Sequence, residues 1–389
     1  MFVGTTLHSF AGAGLGKDKF EVVAKRLSSR QDALERWRGA KVLIIDEISM
    51  ITNQYFELLD KIGRHFRAKQ GHNNRNRFFG GIQLILCGDF CQLGSINDEE
   101  DMKKAINNAQ NDEVEEEDAE DATDKQIYLF ESPLWQKMFP VLSSSYDIFN
   151  DNEGSDEGVM IHLTEVFRQK DKKFVDLLQA CRIGRQTQEH IDMLWQRVIK
   201  QKPPTQTIQV DEIRPTRLYP HKKDVAFENL QELKRLSGES FMFVAVDKGI
   251  PKCIELLEKH CAAESKIILK KGAQVVLLRN LDFGRGLVNG SRGIVTDFLV
   301  GNDQTMPFIP LVKFDNGEMW KAVKQEWKLE QGKEVLASRT QIPLALCWAT
   351  TIHKSMGQTL SKVETRLASV FACGQAYTSL SRCTQLRCL

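Results

Sequence analysis

A chain of 389 residues has room for two or three domains, and 42% hydrophobic residues supply a buried core, which excludes wholesale disorder. No apolar run approaches the roughly 18 residues needed to cross a bilayer, no secretory signal follows Met1, and the nine cysteines are scattered without a CxxC pair, as suits a reducing compartment. The net charge of +1 conceals an imbalance: residues 97–125 hold 13 acidic and 3 basic residues, a local −10, so the remainder carries +11, which suits a nucleic-acid partner or an ordinary solvated surface.

In chain order, Glu21 to Trp37 has the spacing of one amphipathic helix. Lys41 to Ile45 is a short apolar run ending in Asp46-Glu47. Asn53 to Phe66 is again helical, with Phe56, Leu59, Ile62 and Phe66 on one face. Ile82 to Cys87 is a second apolar run, ending in Gly88-Asp89. Both runs read as buried strands of a parallel sheet, whose carboxyl ends are where α/β folds bind ligands. The acidic stretch lacks aromatics and periodicity and reads as a disordered surface loop, with a regulatory arm competing for a DNA channel as the alternative. Phe174 to Ile199 is helical. Residues 272–278, 293–296 and 311–317 are short strands with turn signals, pointing to a small all-β barrel. Leu344 to Thr351 returns to a buried strand, so the β module reads as an insertion within a second α/β domain. Cys383 and Cys388, the one close cysteine pair, have no histidine beside them and read as plain thiols rather than zinc ligands.

Five places carry chemistry. Asp46-Glu47 after an apolar strand is the Walker B arrangement, in which the aspartate would hold Mg²⁺ against nucleotide phosphates and the glutamate would polarise the attacking water; an ordinary surface acid pair is the alternative. Gln92, just past the second strand, can sense a γ-phosphate. Arg168 and Arg382 are candidate arginine fingers for the charge that phosphoryl transfer spreads over the equatorial oxygens. Thr350 to Thr359 concentrates hydroxyls, a base and a glycine, a composition that can grip a phosphodiester on one side and a nucleotide on the other.

The order of these segments resembles the PIF-type DNA helicases. Thr6 to Gly16 looks like their motif Ia, Leu43 to Met50 like motif II, and Gly80 to Phe90 with Gln92-Leu93 like motif III. Leu163 to Gln169 resembles motif IV, Ala349 to Thr359 motif V, and Tyr377 to Arg382 motif VI. Arg214 to Pro220 and Gly286 to Gly293 match as well, so the resemblance covers nearly the whole chain outside the acidic stretch.

The resemblance implies an α/β fold of two RecA-like motor domains of the P-loop NTPase type. The first would span 1–160, incomplete and carrying the insertion at 97–125. The second would span 161–265 and 341–389, with an SH3-like β-barrel inserted at 266–340. It implies ATP as substrate and Mg²⁺ as cofactor, and 5′-to-3′ movement on single-stranded DNA. It further implies unwinding of duplex or quadruplex DNA in repair, recombination and telomere upkeep. Partners would be single-stranded DNA and DNA junctions, with no membrane; the chain would be a monomer, intracellular, and nuclear or mitochondrial if eukaryotic. By motif position, Asp46 and Glu47 would hold Mg²⁺ and activate water, Gln92, Arg168 and Arg382 would contact the γ-phosphate, and Gly357 and Gln358 would lie near the nucleotide. His8, Phe10, His353 and Lys354 would lie near the DNA.

Three departures qualify that expectation. No Gly-x-x-x-x-Gly-Lys-Ser/Thr loop occurs in the chain, so the amides and lysine that cradle β- and γ-phosphates are absent from it. Gly94-Ser95 replaces the prolines that follow Gln-Leu in motif III, and Met356 stands where the family has glutamine. The chain also stops soon after motif VI. The expected product is a helicase fragment without its phosphate loop; the alternatives are a catalytically inactive remnant that binds single-stranded DNA and a partial gene product that does not fold.

Overall fold

The computed structural model describes residues 4–14, 16, 18–68, 74–94, 128–140, 158–198, 213–303, 306–331 and 334–389. They fall into two units, Met1–Glu165 with Ala372–Gly374, and Val166–Phe371 with Gln375–Leu389. The acidic stretch at 97–125 lies outside the described residues.

In the first unit, α1 (Leu7–Ala11) begins at Thr6, whose hydroxyl accepts the Ser9 N–H at 3.2 Å, an ordinary N-cap. The expected single helix over 21–37 is two, α2 (Phe20–Ser28) and α3 (Gln31–Gly39). The break has a local cause. Ser28 Oγ donates back to Ala24 O at 2.8 Å, and Arg30 leaves helical geometry at φ −111°, ψ 88°. Next come β1 (Val42–Ile45), α4 (Asn53–Arg67), β2 (Gln83–Leu86) and α5 (Pro133–Met138). Leu27, Trp37, Phe56, Leu59, Ile62 and Phe79 are fully buried and form the centre of the core. The buried Arg67 guanidinium replaces water with carbonyls: Nε donates to Gly80 O at 2.8 Å, and Nη1 to Trp37 O at 2.7 Å and Ala40 O at 2.9 Å. It thereby ties α4 to the end of α3 and to the entry of β2.

β1 and β2 pair in parallel, Val42 with Gln83 through Ile45 with Leu86. The expectation of two fully buried strands is only half right. Ile45 is buried, but Val42, Ile44 and Ile85 are 46%, 53% and 43% exposed. Alternate side chains take opposite faces of a strand, and among the described residues only one face of this pair is covered by the unit's core.

The second unit opens with α6 (Lys172–Arg182) and α7 (Gln188–Trp195), separated at Gly184, where one helical run was expected. β3 (Thr216–Tyr219) leads into α8 (Lys222–Arg235). A β-rich stretch follows: β4 (Phe241–Val244), β5 (Val246–Gly249), α9 (Pro251–His260), β6 (Lys266–Leu269), β7 (Gln274–Leu277), β8 (Arg292–Asp303), β9 (Met306–Phe314), β10 (Met319–Lys321), β11 (Gln325–Gln331) and β12 (Glu334–Gln341). The chain closes with β13 (Leu344–Leu346), β14 (Ala349–Thr351), β15 (Val363–Thr365) and α10 (Gln375–Ser381).

Three sheets of this unit matter to the site. β14-β3-β15 is parallel, β10-β9-β8-β7-β13 is antiparallel, and β11-β12-β5 is antiparallel. The buried run 344–351 is therefore not one strand. Leu344–Leu346 belongs to the antiparallel module and Ala349–Thr351 to the parallel layer, with Cys347-Trp348 as the joint. Gln274 secures that joint: its amide accepts from Arg214 N at 3.0 Å and donates to Cys347 O at 3.0 Å. On the parallel layer, the Asn229 amide of α8 pairs with the β14 backbone as another strand would, accepting from Ala349 N at 2.9 Å and donating to Ala349 O at 3.1 Å.

Candidate functional site

The acidic pair sits where β1 ends. Asp46 is exposed and Glu47 half-buried. Glu47 holds φ 52°, ψ 49°, a left-handed conformation that costs a side-chain-bearing residue about 1 kcal/mol or more and that clusters at functional sites. The turn is held by its neighbours. Glu47 N donates to Asp46 Oδ1 at 2.9 Å, Ile48 N to Cys87 O at 2.9 Å, and Cys87 N to Ile45 O at 2.8 Å. Gly88 is required there, because a Cβ would stand 2.8 Å from Ile48 N. Past β2, Asp89 folds the loop back on itself: Oδ1 accepts from Cys91 N at 3.0 Å and its carbonyl from Gln92 N at 3.0 Å. Gln92 is thus presented on a tight turn anchored by the fully buried Leu93.

Among the described residues no group of three or more His, Cys, Asp or Glu could hold a metal. A Mg²⁺ ion takes one or two carboxylates together with waters and phosphate oxygens, and the exposed Asp46 carboxylate at the strand end is a donor of that kind.

In the second unit, the two expected arginines meet at one place, the end of α10. Arg168 is half-buried, with Nε on Thr359 Oγ1 at 3.2 Å and Nη1 on Ser381 O at 3.4 Å. Arg382 is 1% exposed, with Nε on Thr378 O at 3.0 Å and Nη2 on Ser381 Oγ at 2.9 Å. Here it turns back on its own helix. Sequence reasoning missed Gln169, the buried residue that builds this junction: its Nε2 donates to Ser381 O at 2.9 Å and Cys383 O at 2.7 Å. A polar side chain straight after the motif arginine was the only signal.

The loop after β14 holds four expected residues. Ile352 N donates to Tyr219 O at 3.0 Å and the buried Ser355 Oγ to Ile352 O at 2.7 Å, fixing a single turn that carries His353, half-buried, and Lys354, exposed. Gly357 turns the chain at φ 71°, and Gln358 Nε2 donates to Lys354 O at 3.0 Å. In the first unit, His8 and Phe10 leave α1 on different neighbours. His8 is exposed and stacks on Tyr55 at 4.7 Å between ring centroids, and burial pushes the Tyr55 hydroxyl up to about 12, so this floor stays neutral. Phe10 packs on Trp37 at 5.2 Å as part of the core's edge.

Comparison with known proteins identifies the family. Residues 1–113 match the family described as PIF1-like helicase, and residues 254–298 match the 2B domain of DNA helicase Pif1. The ATP-dependent DNA helicase PIF1 of Xenopus laevis is 37% identical over 383 residues, 98% of this chain and 51% of that protein. The crystal structure of Pif1 helicase from Candida albicans superposes with a TM-score of 0.76 at 32% identity, covering 99% of this chain and 80% of that one. Pif1 from Bacteroides sp in complex with ADP-AlF4 gives a TM-score of 0.66 at 26% identity, covering 99% and 77%. The chain spans about half the length of the curated relatives it matches. With a solved Pif1 helicase matched at this identity over most of its length, and with strand-end acids, motif loops and arginines in the family's order, the chain belongs to the PIF1-like helicase family.

Proposed function

We propose that this chain carries the motor of an ATP-dependent DNA helicase that moves 5′ to 3′ on single-stranded DNA and opens duplex or quadruplex DNA during repair, recombination and telomere upkeep. The observation that carries the reading is the strand-end turn at Asp46-Glu47, held in a strained left-handed conformation by the Cys87-Gly88 backbone. When bound, Mg²⁺ would neutralise phosphate charge beside Asp46. Glu47 orients the attacking water, Gln92 reads the γ-phosphate, and Arg168 and Arg382 answer the charge that develops on it. Gly357 and Gln358 approach the nucleotide. His8 offers a stacking face to DNA, Phe10 braces the α1 segment, and His353 and Lys354 grip the phosphodiester backbone. In this reading 1–160 is the first motor domain, 161–265 with 341–389 the second, and 266–340 an inserted SH3-like barrel. The protein acts as a monomer on single strands and junctions, inside the cell, in the nucleus or mitochondrion of a eukaryote.

The 389 residues contain no Gly-x-x-x-x-Gly-Lys-Ser/Thr, the loop that cradles the β- and γ-phosphates. Without it, no triphosphate is positioned for the acids and arginines to act on. The chain alone should therefore bind single-stranded DNA and show no significant ATP hydrolysis. Joined behind a phosphate loop, it should hydrolyse ATP when single-stranded DNA is added and open a duplex bearing a 5′ tail but not a 3′ tail, both lost in Glu47→Gln. Opening only the 3′-tailed duplex would overturn the direction. Turnover by the 389 residues alone, abolished by Glu47→Gln, would overturn the need for the loop.

A further inference from the structure

Arg292 differs from the other buried arginines of the second unit. Arg339 is paired with carboxylates, and Arg382 is bonded to its own helix. Arg292 is 7% exposed, yet its buried Nε and Nη2 meet no acceptor among the described residues. A buried, unanswered guanidinium is costly, so its retention calls for an acceptor that arrives from outside.

Its surroundings indicate the acceptor's charge. Arg292 is the first residue of β8, paired with Val276 of β7. Val295 enters the module's apolar core, so Arg292 lies on the opposite face, with Ile294. Cys347, at the joint between the antiparallel module and the parallel layer, lies within electrostatic reach of both Arg292 and Lys354. The Gly290 turn just before Arg292 abuts the same loop: a Cβ at Gly290 would be 3.4 Å from Gln358 Nε2. That nitrogen spends one proton on Lys354 O and keeps a second. Arg292 and Lys354 thus both lie near the Cys347 joint, and the turn that leads into Arg292 borders the Gln358 amide.

We propose that Arg292, with Lys354 and the Gln358 amide, forms a phosphate-binding site at the joint between the antiparallel module and the parallel layer. It takes either a phosphodiester of single-stranded DNA or a phosphate of a nucleotide. A planar guanidinium with Nε and Nη2 both unbonded is the fork that grips two oxygens of one phosphate. The proposal rests on the DNA-motor reading for the source of the phosphate, and not for its chemistry.

The test compares the unaltered chain with Arg292→Met and Arg292→Lys. Short labelled oligothymidylate is titrated across salt, a fluorescent ATP analogue is titrated separately, and melting temperature is recorded for all three. Because Arg292 is unpaired, Arg292→Met should melt no lower than the unaltered chain. If the source is DNA, oligothymidylate affinity falls roughly tenfold or more in Arg292→Met, and the slope of log affinity against log salt shrinks by about 0.7. If the source is a nucleotide, only the ATP analogue weakens. Arg292→Lys should recover part of either loss, since it keeps the charge without the fork. Unchanged affinity for both ligands in a folded Arg292→Met overturns the site while leaving the helicase reading standing. Failure of the unaltered chain to bind either ligand overturns both. Should Arg292→Met not fold, hydrogen exchange across residues 290–294 of the unaltered chain decides: protection by oligothymidylate or nucleotide supports the site, and none overturns it.

Discussion

Gly88 is where a single methyl group would disturb the acidic turn. A Cβ there would press within 2.8 Å of Ile48 N and 2.9 Å of Ile48 Cγ2. The first belongs to the backbone that follows Glu47, held at φ 52°, and the second to the buried Ile48 side chain. Gly88→Ala should destabilise the first unit by about 1–3 kcal/mol, the range for forcing extra atoms into a packed place, as read by denaturant unfolding. Stability equal to the parent would mean that the turn yields freely and is not held. Arg382 makes a two-sided case. Its burial means that Arg382→Ala empties a buried place and removes the donors it gives Thr378 O and Ser381 Oγ, which should cost folding stability of about 1–3 kcal/mol, although Thr378 O keeps the Ser381 hydroxyl. As an arginine finger it should also cost roughly 10³-fold in turnover once a phosphate loop is supplied. Loss of stability with turnover intact, measured on the folded fraction, would make Arg382 a structural residue only.

At the scale of elements, the parallel layer of the second unit is held together by charge as well as by apolar contact. Arg217 on β3 reaches Glu232 of α8 at 2.9 Å and Glu364 of β15 at 3.0 Å, and also bonds Glu228. Burial acts on the Glu232 carboxyl more than any other single influence and pushes its titration up. The guanidiniums of Arg217, Arg235 and Arg214 together outweigh burial and leave it below its usual 4.5. A carboxylate depressed in the folded state adds stability that is complete above its unfolded value and is lost as pH falls through the folded one. Stability of the second unit should therefore decline as pH drops below about 4.5, and Glu232→Gln should flatten that decline. An equally steep decline in Glu232→Gln would assign it to other groups. None of this network could be read in the sequence, because its members lie far apart in the chain and resemble ordinary surface charges. What could be read were the features with a local signature: α4 by its periodicity, the Asp46-Glu47 strand end, and the motif loops. The split of 344–351 between two sheets was hidden, since an apolar run looks the same whichever sheet pairs with it. The break between α2 and α3 was written only in Ser28-Ser29, residues equally at home on a helix surface.

For the whole molecule, the unequal distribution of charge has a measurable consequence. Residues 97–125 carry −10 against +11 for the remainder. With a local −10 and few apolar residues, that stretch has little to bury. Deleting 98–124 should then leave the melting temperature within a degree or two, since a change that removes little apolar surface shifts stability by only about 0.5 kcal/mol. The electrostatic effect is separate. Removing the acidic stretch leaves a strongly basic chain, so single-stranded DNA should bind more tightly at low salt, with the advantage fading as the Debye length shrinks to about 8 Å at physiological ionic strength. Melting curves and salt-titrated DNA binding on the deletion variant check the two halves independently. A fall of many degrees would show that the stretch packs against the unit. Unchanged affinity at every salt concentration would show that its charge lies too far from the DNA path to compete for it.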